Sequence, residues 1–320
     1  MARRPTPTIV AVALNPSWDR IIEVPDLEVG RHVRGRLLSV HAAGKAVNVA
    51  RLLAVFGTPA ILTGFVGEDD RDRFAASFAK TGVRVEMFEV ADAVTRENVT
   101  LVDPARGVDT HIRDAGFPIS ADDLERLTKK LHILAGKGTY VLFTGSLTPG
   151  MEAGAFADLL RVCAAKGARV AVDTSGPGLE AVGRVPDLWL LKPNRAELAE
   201  IAGRPVDTDD AVRAAAGALR DAVDEVVVTL GADGAMLFAR GGAWHARPHL
   251  DPEAVINTVG AGDAFLAGYV QRHAAGAPAD ECLQYGVACG TAATLQLAAG
   301  RINPNDVAAV LEKVDLAPLA

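Results

Sequence analysis

The chain has 320 residues, 49% of them hydrophobic, which is enough apolar material for one large α/β domain or two ordinary ones. A net charge of −7, with no Lys/Arg cluster longer than Arg3-Arg4 or Lys129-Lys130, argues against nucleic acid as a partner. Three cysteines (Cys163, Cys282, Cys289) without CxxC spacing support neither a disulfide framework nor a zinc site and fit a reducing cytoplasm, and no apolar run reaches the roughly 20 residues of a membrane helix.

In chain order, the apolar run from Ile9 is cut short at Asn15-Pro16, so Ile9–Leu14 reads as a first strand and not as a signal peptide. Further strands are expected at Ile61–Val66, Tyr140–Thr144, Arg169–Asp173, Leu188–Lys192 and Val226–Leu230. Helical periodicity marks Ala46–Phe56, Arg71–Thr81, Ala121–Ala135, Ala153–Lys166, Asp209–Asp221, Gly262–Ala274 and Ala279–Leu297. Strands alternating with such segments predict an α/β fold with a mostly parallel sheet, and ligands bound past the carboxyl ends of its strands. Asp19–Val40 and Val83–Arg113 break the rhythm with alternating, helix-poor stretches. They read as a small β-structure off the main sheet, either a water-excluding lid or an ordinary edge hairpin. With no repeat or low-complexity linker, a single domain over 1–320 is expected, with lid segments near 19–40 and 83–113.

The strongest local signal is Asn257-Thr258-Val259-Gly260-Ala261-Gly262-Asp263, a glycine-rich turn running into an apolar helix. Such a turn aims backbone N–H groups and a helix N-terminus at an anion. Asp263 there is either a helix-dipole complement or a base placed beside an anion hole. Asn194 and Glu197 have the N-x-x-E spacing of a capping box. His245 and His249, with Pro248 between them, do not read as a metal pair, and Cys282 and Cys289 read as packing.

Together with Gly44-Lys45-Ala46-Val47-Asn48-Val49-Ala50, Lys192-Pro193-Asn194-Arg195-Ala196-Glu197 and Thr229-Leu230-Gly231-Ala232-Asp233-Gly234, the Asn257–Asp263 motif resembles the ribokinase-like, or PfkB, carbohydrate kinases. The four motifs lie in that family's order from Gly44 to Asp263. The resemblance implies a three-layer α/β/α fold with a β-lid, ATP and Mg²⁺, and phosphoryl transfer to a sugar hydroxyl. It makes Asp263 the catalytic base, assisted by the amides of Gly260, Ala261 and Gly262. Lys192, Thr229, Gly231, Gly234 and Asn257 would serve the nucleotide, and Asn194 and Glu197 would hold Mg²⁺ largely through waters. A lid-to-lid homodimer is a further expectation of the family.

Asn15-Pro16-Ser17-Trp18-Asp19 and Thr95-Arg96-Glu97-Asn98-Val99 are similar to elements of the family's phosphosugar branch. Asp19, Gly44, Asn48 and Asn98 would then bind the sugar, while Arg96 and Lys45 would hold a phosphate already on the acceptor. Within that branch the 1-phosphofructokinase group is the first choice, ahead of tagatose-6-phosphate and fructose-6-phosphate kinases, of a ribokinase- or adenosine-kinase-like enzyme for a neutral acceptor, and of a non-catalytic sugar-phosphate sensor. Three departures bear on the acceptor. Ala43 and Ala46 stand where that group commonly has glycine, and would strain the loop if either needs φ > 0. Trp18 is bulky for its position and either packs in the lid or lines the sugar site, and Thr148 replaces a frequent proline.

Overall fold

The computed structural model describes residues 7–319. Its strands are β1 (Thr8–Ala13), β2 (Ser17–Glu23), β3 (Arg36–Ala43), β4 (Ala60–Gly67), β5 (Val83–Val90), β6 (Glu97–Asp103), β7 (Val108–Ile112), β8 (Thr139–Thr144), β9 (Arg169–Asp173), β10 (Leu188–Leu191), β11 (Val223–Thr229), β12 (Ala235–Ala239), β13 (Gly242–Pro248) and β14 (Val314–Pro318). They form a ten-stranded sheet, β14-β13-β12-β11-β10-β9-β8-β1-β4-β5, and a separate four-stranded sheet, β3-β2-β6-β7. From β11 to β5 the large sheet is parallel, whereas β12, β13 and β14 add to it antiparallel.

Both faces of the parallel strands are covered, so those strands are apolar without a break. In β1, Val10 and Val12 enter the core under helices Ala121–Leu134 and Ala153–Ala165, while Ile9 packs on the opposite face with helices Lys45–Val55 and Ala261–Ala274. The result is the expected α/β/α sandwich with its site end at the carboxyl termini of the parallel strands. β1 and β4 approach closely at Gly64, where φ is +131° and a Cβ would lie 1.9 Å from the Ala13 carbonyl oxygen. Gly64→Ala is expected to cost about 2–3 kcal/mol of stability, readable as a lower denaturant midpoint at unchanged slope.

The predicted strands and helices are present, with shifts at several ends. The helix beginning at Arg71 stops at Ala76, ahead of Lys80 and Gly82 in left-handed conformation. The helix beginning at Ala279 stops at Ala293, where the Thr294 carbonyl accepts from the Ile256 and Asn257 amides instead of continuing a helical ladder. The antiparallel strands β12 to β14 and the helix Pro304–Leu311 were not anticipated. Of the two irregular segments, 19–40 contributes β2 and part of β3 to the small sheet. Segment 83–113 divides: its first eight residues form β5 at the edge of the large sheet, because they pair in parallel with Ala60–Gly67, and only β6 and β7 join the small sheet.

Candidate active site

The loops or ends following β1, β8, β9, β10 and β11 line one cleft of about 850 Å³, roofed by the small sheet. Helix Ala261–Ala274 starts at its edge. Gly260, at φ +85°, turns the chain into that helix, and a Cβ there would sit 3.0 Å from the Ala299 Cβ. The first-turn amides of a helix have no intrahelical partner, so this end offers donors and positive dipole to the cleft. The Ala261 amide is partly used, donating to the Thr258 carbonyl at 3.3 Å. Asn257 braces the same turn: its Oδ1 accepts from the Val259 amide at 2.9 Å and its Nδ2 donates to the Leu297 carbonyl at 2.9 Å.

Asp263 follows in the first turn, buried, its Oδ2 accepting from Asn48 Nδ2 at 2.8 Å. Burial, and next the negative Asp173 carboxylate, push the Asp263 carboxyl up to about 7, against the opposing pull of Asn48, Lys45 and Lys192. Asp173, at the end of β9, is 1% exposed and lies between two ammonium groups: Lys45 Nζ donates to Oδ1 at 2.9 Å, and Lys192 Nζ lies 3.0 Å from Oδ2. Burial alone would raise the Asp173 carboxyl, but Lys192 and Lys45 hold it below the usual carboxylate range. Lys45 is raised in turn, since Asp173 outweighs the burial that acts first on it. Two carboxylates and two lysines thus share one floor, with Asp263 the carboxyl poised to exchange a proton near neutral pH.

Gly44, at φ +110°, caps the helix that presents Lys45 and Asn48. Neither Ala43 nor Ala46 has positive φ, so the methyl groups impose no backbone strain. On the roof, Asp19 Oδ1 accepts from Ser17 Oγ and from Asn98 Nδ2, each at 2.9 Å. Arg96 is committed to backbone carbonyls, those of Asn15 at 2.8 Å, Asp114 at 3.0 Å and Pro16 at 3.3 Å, which ties the small sheet to the exit of β1. Trp18 lines none of this. It is buried beneath the small sheet, edge-on to Phe74 at 4.7 Å, with its indole N–H donating to Asp70 and Arg73 stacked on its ring.

On the far side of the cleft, Thr229 lines the cavity, whereas Gly231 and Gly234 shape the turn behind it. A Cβ on Gly234 would lie 2.0 Å from the Ala246 carbonyl oxygen, a demand made by the β12–β13 approach. Asn194 and Glu197 both line the cleft and form the reciprocal capping box, Glu197 N–H to Asn194 Oδ1 at 2.9 Å and Asn194 N–H to Glu197 Oε2 at 2.8 Å. That leaves Glu197 Oε1 outside the box. Among the described residues no group of three or more His, Cys, Asp or Glu could hold a metal alone. The oxygen donors fit Mg²⁺ bound mainly by phosphates and water, since that ion commonly takes only one or two carboxylates from protein. His245 and His249 part company, the first bonding the Asp233 carbonyl and the second Asp315.

From sequence, Asp173 reads only as part of Asp173-Thr174-Ser175-Gly176, framing the cleft or capping a strand end, and no motif announces its pairing with two lysines. Its partners Lys45 and Lys192 do sit in motifs, and two lysines converging past strand ends would have called for a buried carboxylate.

The model of the pfkB family carbohydrate kinases matches residues 12–306. The chain is 32% identical over 320 residues to the 1-phosphofructokinase of Escherichia coli (strain K12), covering 99% of each, and 38% identical over 270 residues to that of Rhodobacter capsulatus, covering 83% of each. Its backbone superimposes on phosphofructokinase-2 from Escherichia coli in complex with potassium with a TM-score of 0.90 at 26% identity, covering 96% of this chain and 98% of that one. The chain belongs to the PfkB family of carbohydrate kinases, which makes it a phosphotransferase acting on an alcohol group. Within that family, the chain is a phosphofructokinase-type sugar kinase, with ATP as a substrate.

Proposed function

We propose that the chain is a 1-phosphofructokinase, transferring the γ-phosphoryl group of ATP to fructose 1-phosphate to give fructose 1,6-bisphosphate. The observation that carries the chemistry is the buried Asp263 carboxyl, raised to about 7 at the head of an anion-facing helix. In this reading Asp263 takes the proton of the attacking hydroxyl, and the amides of Gly260 and Gly262 with the helix N-terminus stabilise the transferring phosphoryl group. Ala261 contributes by shape more than by its amide, which serves the turn. Asp19 and Asn98 orient sugar hydroxyls from the roof, and Asn48 fixes the Asp263 carboxylate.

Lys45 and Lys192, held by Asp173, face the phosphoryl groups in flight. This moves Lys45 from the acceptor phosphate toward the transfer end, because its ammonium is already paired beside Asp263. Glu197 and Asn194 would hold Mg²⁺ through water, and the ion when bound neutralises phosphate charge. Thr229 and the Gly231–Gly234 turn border the nucleotide. The small sheet acts as the lid of a single domain, and its exposed Leu37, Leu38, Val108 and Ile112 suit a lid-to-lid homodimer. Among the described residues no helix is long and apolar enough to cross a membrane, and three buried free thiols suit a reducing cytoplasm.

The acceptor is tested by coupled ADP release with Mg-ATP across fructose 1-phosphate, fructose 6-phosphate, tagatose 6-phosphate, fructose, ribose and adenosine. The highest kcat/KM is expected for fructose 1-phosphate. A preference for another phosphosugar would correct the acceptor, and a preference for a neutral one would overturn the phosphosugar reading.

A further inference from the structure

The roof of the cleft carries its polar residues in a row set by strand register. Asp19 on β2 stands opposite His41 on β3 and opposite Asn98 on β6, and all three line the cleft. On the other side of β6, Val99 pairs with Ile112 and Thr100 with His111, antiparallel. Strand β7 ends at Ile112, and Arg113 leaves it one residue past the last pair, on the Asn98 side of Val99. Arg113 also lines the cleft, so the row reads His41, Asp19, Asn98, with about 4.8 Å between strands, and Arg113 beyond its end.

The row is chemically graded. Burial, with Arg51 and Arg301 adding to it, holds the His41 imidazole below its ordinary range despite Asp19. Asp19 and Asn98 are joined to each other by a hydrogen bond and suit hydroxyl groups. Of these four residues, Arg113 is the one with a fixed positive charge, while Arg51 and Arg301 act on the His41 end from outside the row. Arg113 is exposed, and its side chain has no hydrogen bond or ion pair among the described residues. Arg96 faces the same cleft, but three of its five N–H groups are spent on carbonyls, one of them that of Asp114, the residue after Arg113. Arg96 therefore fixes the backbone from which Arg113 projects. Lys45, the other cation that motif reading offers for an acceptor phosphate, is held by Asp173 at the transfer end.

We propose that Arg113 binds the phosphate already present on the acceptor sugar, as the free guanidinium at the end of the His41–Asp19–Asn98 row, with Arg96 positioning it and lending its remaining N–H groups. This rests on the phosphosugar reading above. It makes the lid a ruler that measures from sugar hydroxyls at Asp19 to a phosphodianion at Arg113, and so a determinant of which phosphosugar is accepted. A guanidinium suits that task because its planar fork meets two phosphate oxygens at once.

The test compares wild type, Arg113→Ala and Arg113→Lys in steady-state kinetics with fructose 1-phosphate and with fructose, at fixed saturating Mg-ATP, and repeats them with ATP varied. For Arg113→Ala, KM for fructose 1-phosphate is expected to rise about ten- to a hundredfold, the range for losing one charge-assisted contact. KM for ATP and the kcat/KM for fructose should stay within about twofold, since neither engages Arg113, and Arg113→Lys should recover part of the phosphosugar KM. Because Arg113 is exposed, thermal midpoints should match. If wild type prefers fructose 1-phosphate yet Arg113→Ala leaves its KM unchanged, or raises KM for ATP and phosphosugar alike, Arg113 has no such role while the function stands. If wild type does not discriminate between fructose 1-phosphate and fructose, the phosphosugar reading falls and this inference with it.

Discussion

Asp263→Ala is expected to lower kcat by about a hundred- to ten-thousandfold, the range for losing a positioned general base, with KM for ATP little changed. The loss should fall on kcat because the carboxylate acts when the attacking hydroxyl gives up its proton, while the anion-facing amides that hold the nucleotide phosphates belong to the backbone. Asp263→Asn separates chemistry from packing. It keeps the size of the side chain and an oxygen for Asn48 Nδ2, so it should be as inactive as the alanine variant. Its stability should move the other way. A carboxyl raised from 3.8 to about 7 keeps in the native state a proton that the unfolded chain has released, so stability falls as pH rises from about 4 to about 7. Asp263→Asn escapes that cost: it should unfold later than wild type above pH 7 by about 2–4 kcal/mol, and lose this advantage below pH 4. An inactive variant that is also more stable at pH 8 is the signature of a group kept for chemistry. Activity retained in both variants would remove Asp263 from the mechanism.

Asp173→Ala should be the most destabilising change in the site. Lys192, 4% exposed, would keep its charge with its partner gone, at a cost of about 3–5 kcal/mol. Lys45 is 38% exposed and can turn to water, so it adds little to that figure. The conservative Asp173→Asn variant is the more informative, since it removes the charge and keeps the shape. Asp173 is the second largest influence raising the Asp263 carboxyl, and its neutralisation leaves burial alone to oppose Asn48 and the two lysines. The acid limb of the pH–rate profile should therefore shift to lower pH. A profile with its midpoint unmoved would show that Asp173 holds the lysines without tuning the base.

Sequence reasoning recovered the parts of this molecule whose signals are local. Gly260 to Asp263 could be read because glycines before a helix constrain the backbone whatever surrounds them, and Asn48 and Lys45 because they stand in a Gly44–Ala50 motif that resembles the family's. The central parallel strands were legible from their unbroken apolar runs. The antiparallel extension was not: Ala235–Ala239 is a five-residue run between Gly234 and Arg240, and its strand character depends on pairing with β11. Asp173 was read only as framing the cleft or capping its strand, and Arg113 was missed, for a related reason. The role of the first depends on lysines 128 and 19 residues away being brought to one strand end. That of the second depends on a register that exists only once β6 and β7 have paired. Its motif put Arg96 on the lid, and it does line the cleft, but its commitment to three carbonyls is set by the loop after β1 folding beneath it. Trp18 shows the same limit in reverse, a conspicuous side chain whose place is the packing against Phe74.

Phosphoryl transfer by this mechanism requires one buried carboxylate, Asp263, to be ionised. The most direct test is the pH dependence of kcat/KM for the preferred phosphosugar at saturating Mg-ATP, from pH 5 to 9. The rate should rise about tenfold per pH unit at the acid end and level off above about 7, following the Asp263 carboxyl. A rate independent of pH across that range would contradict this requirement.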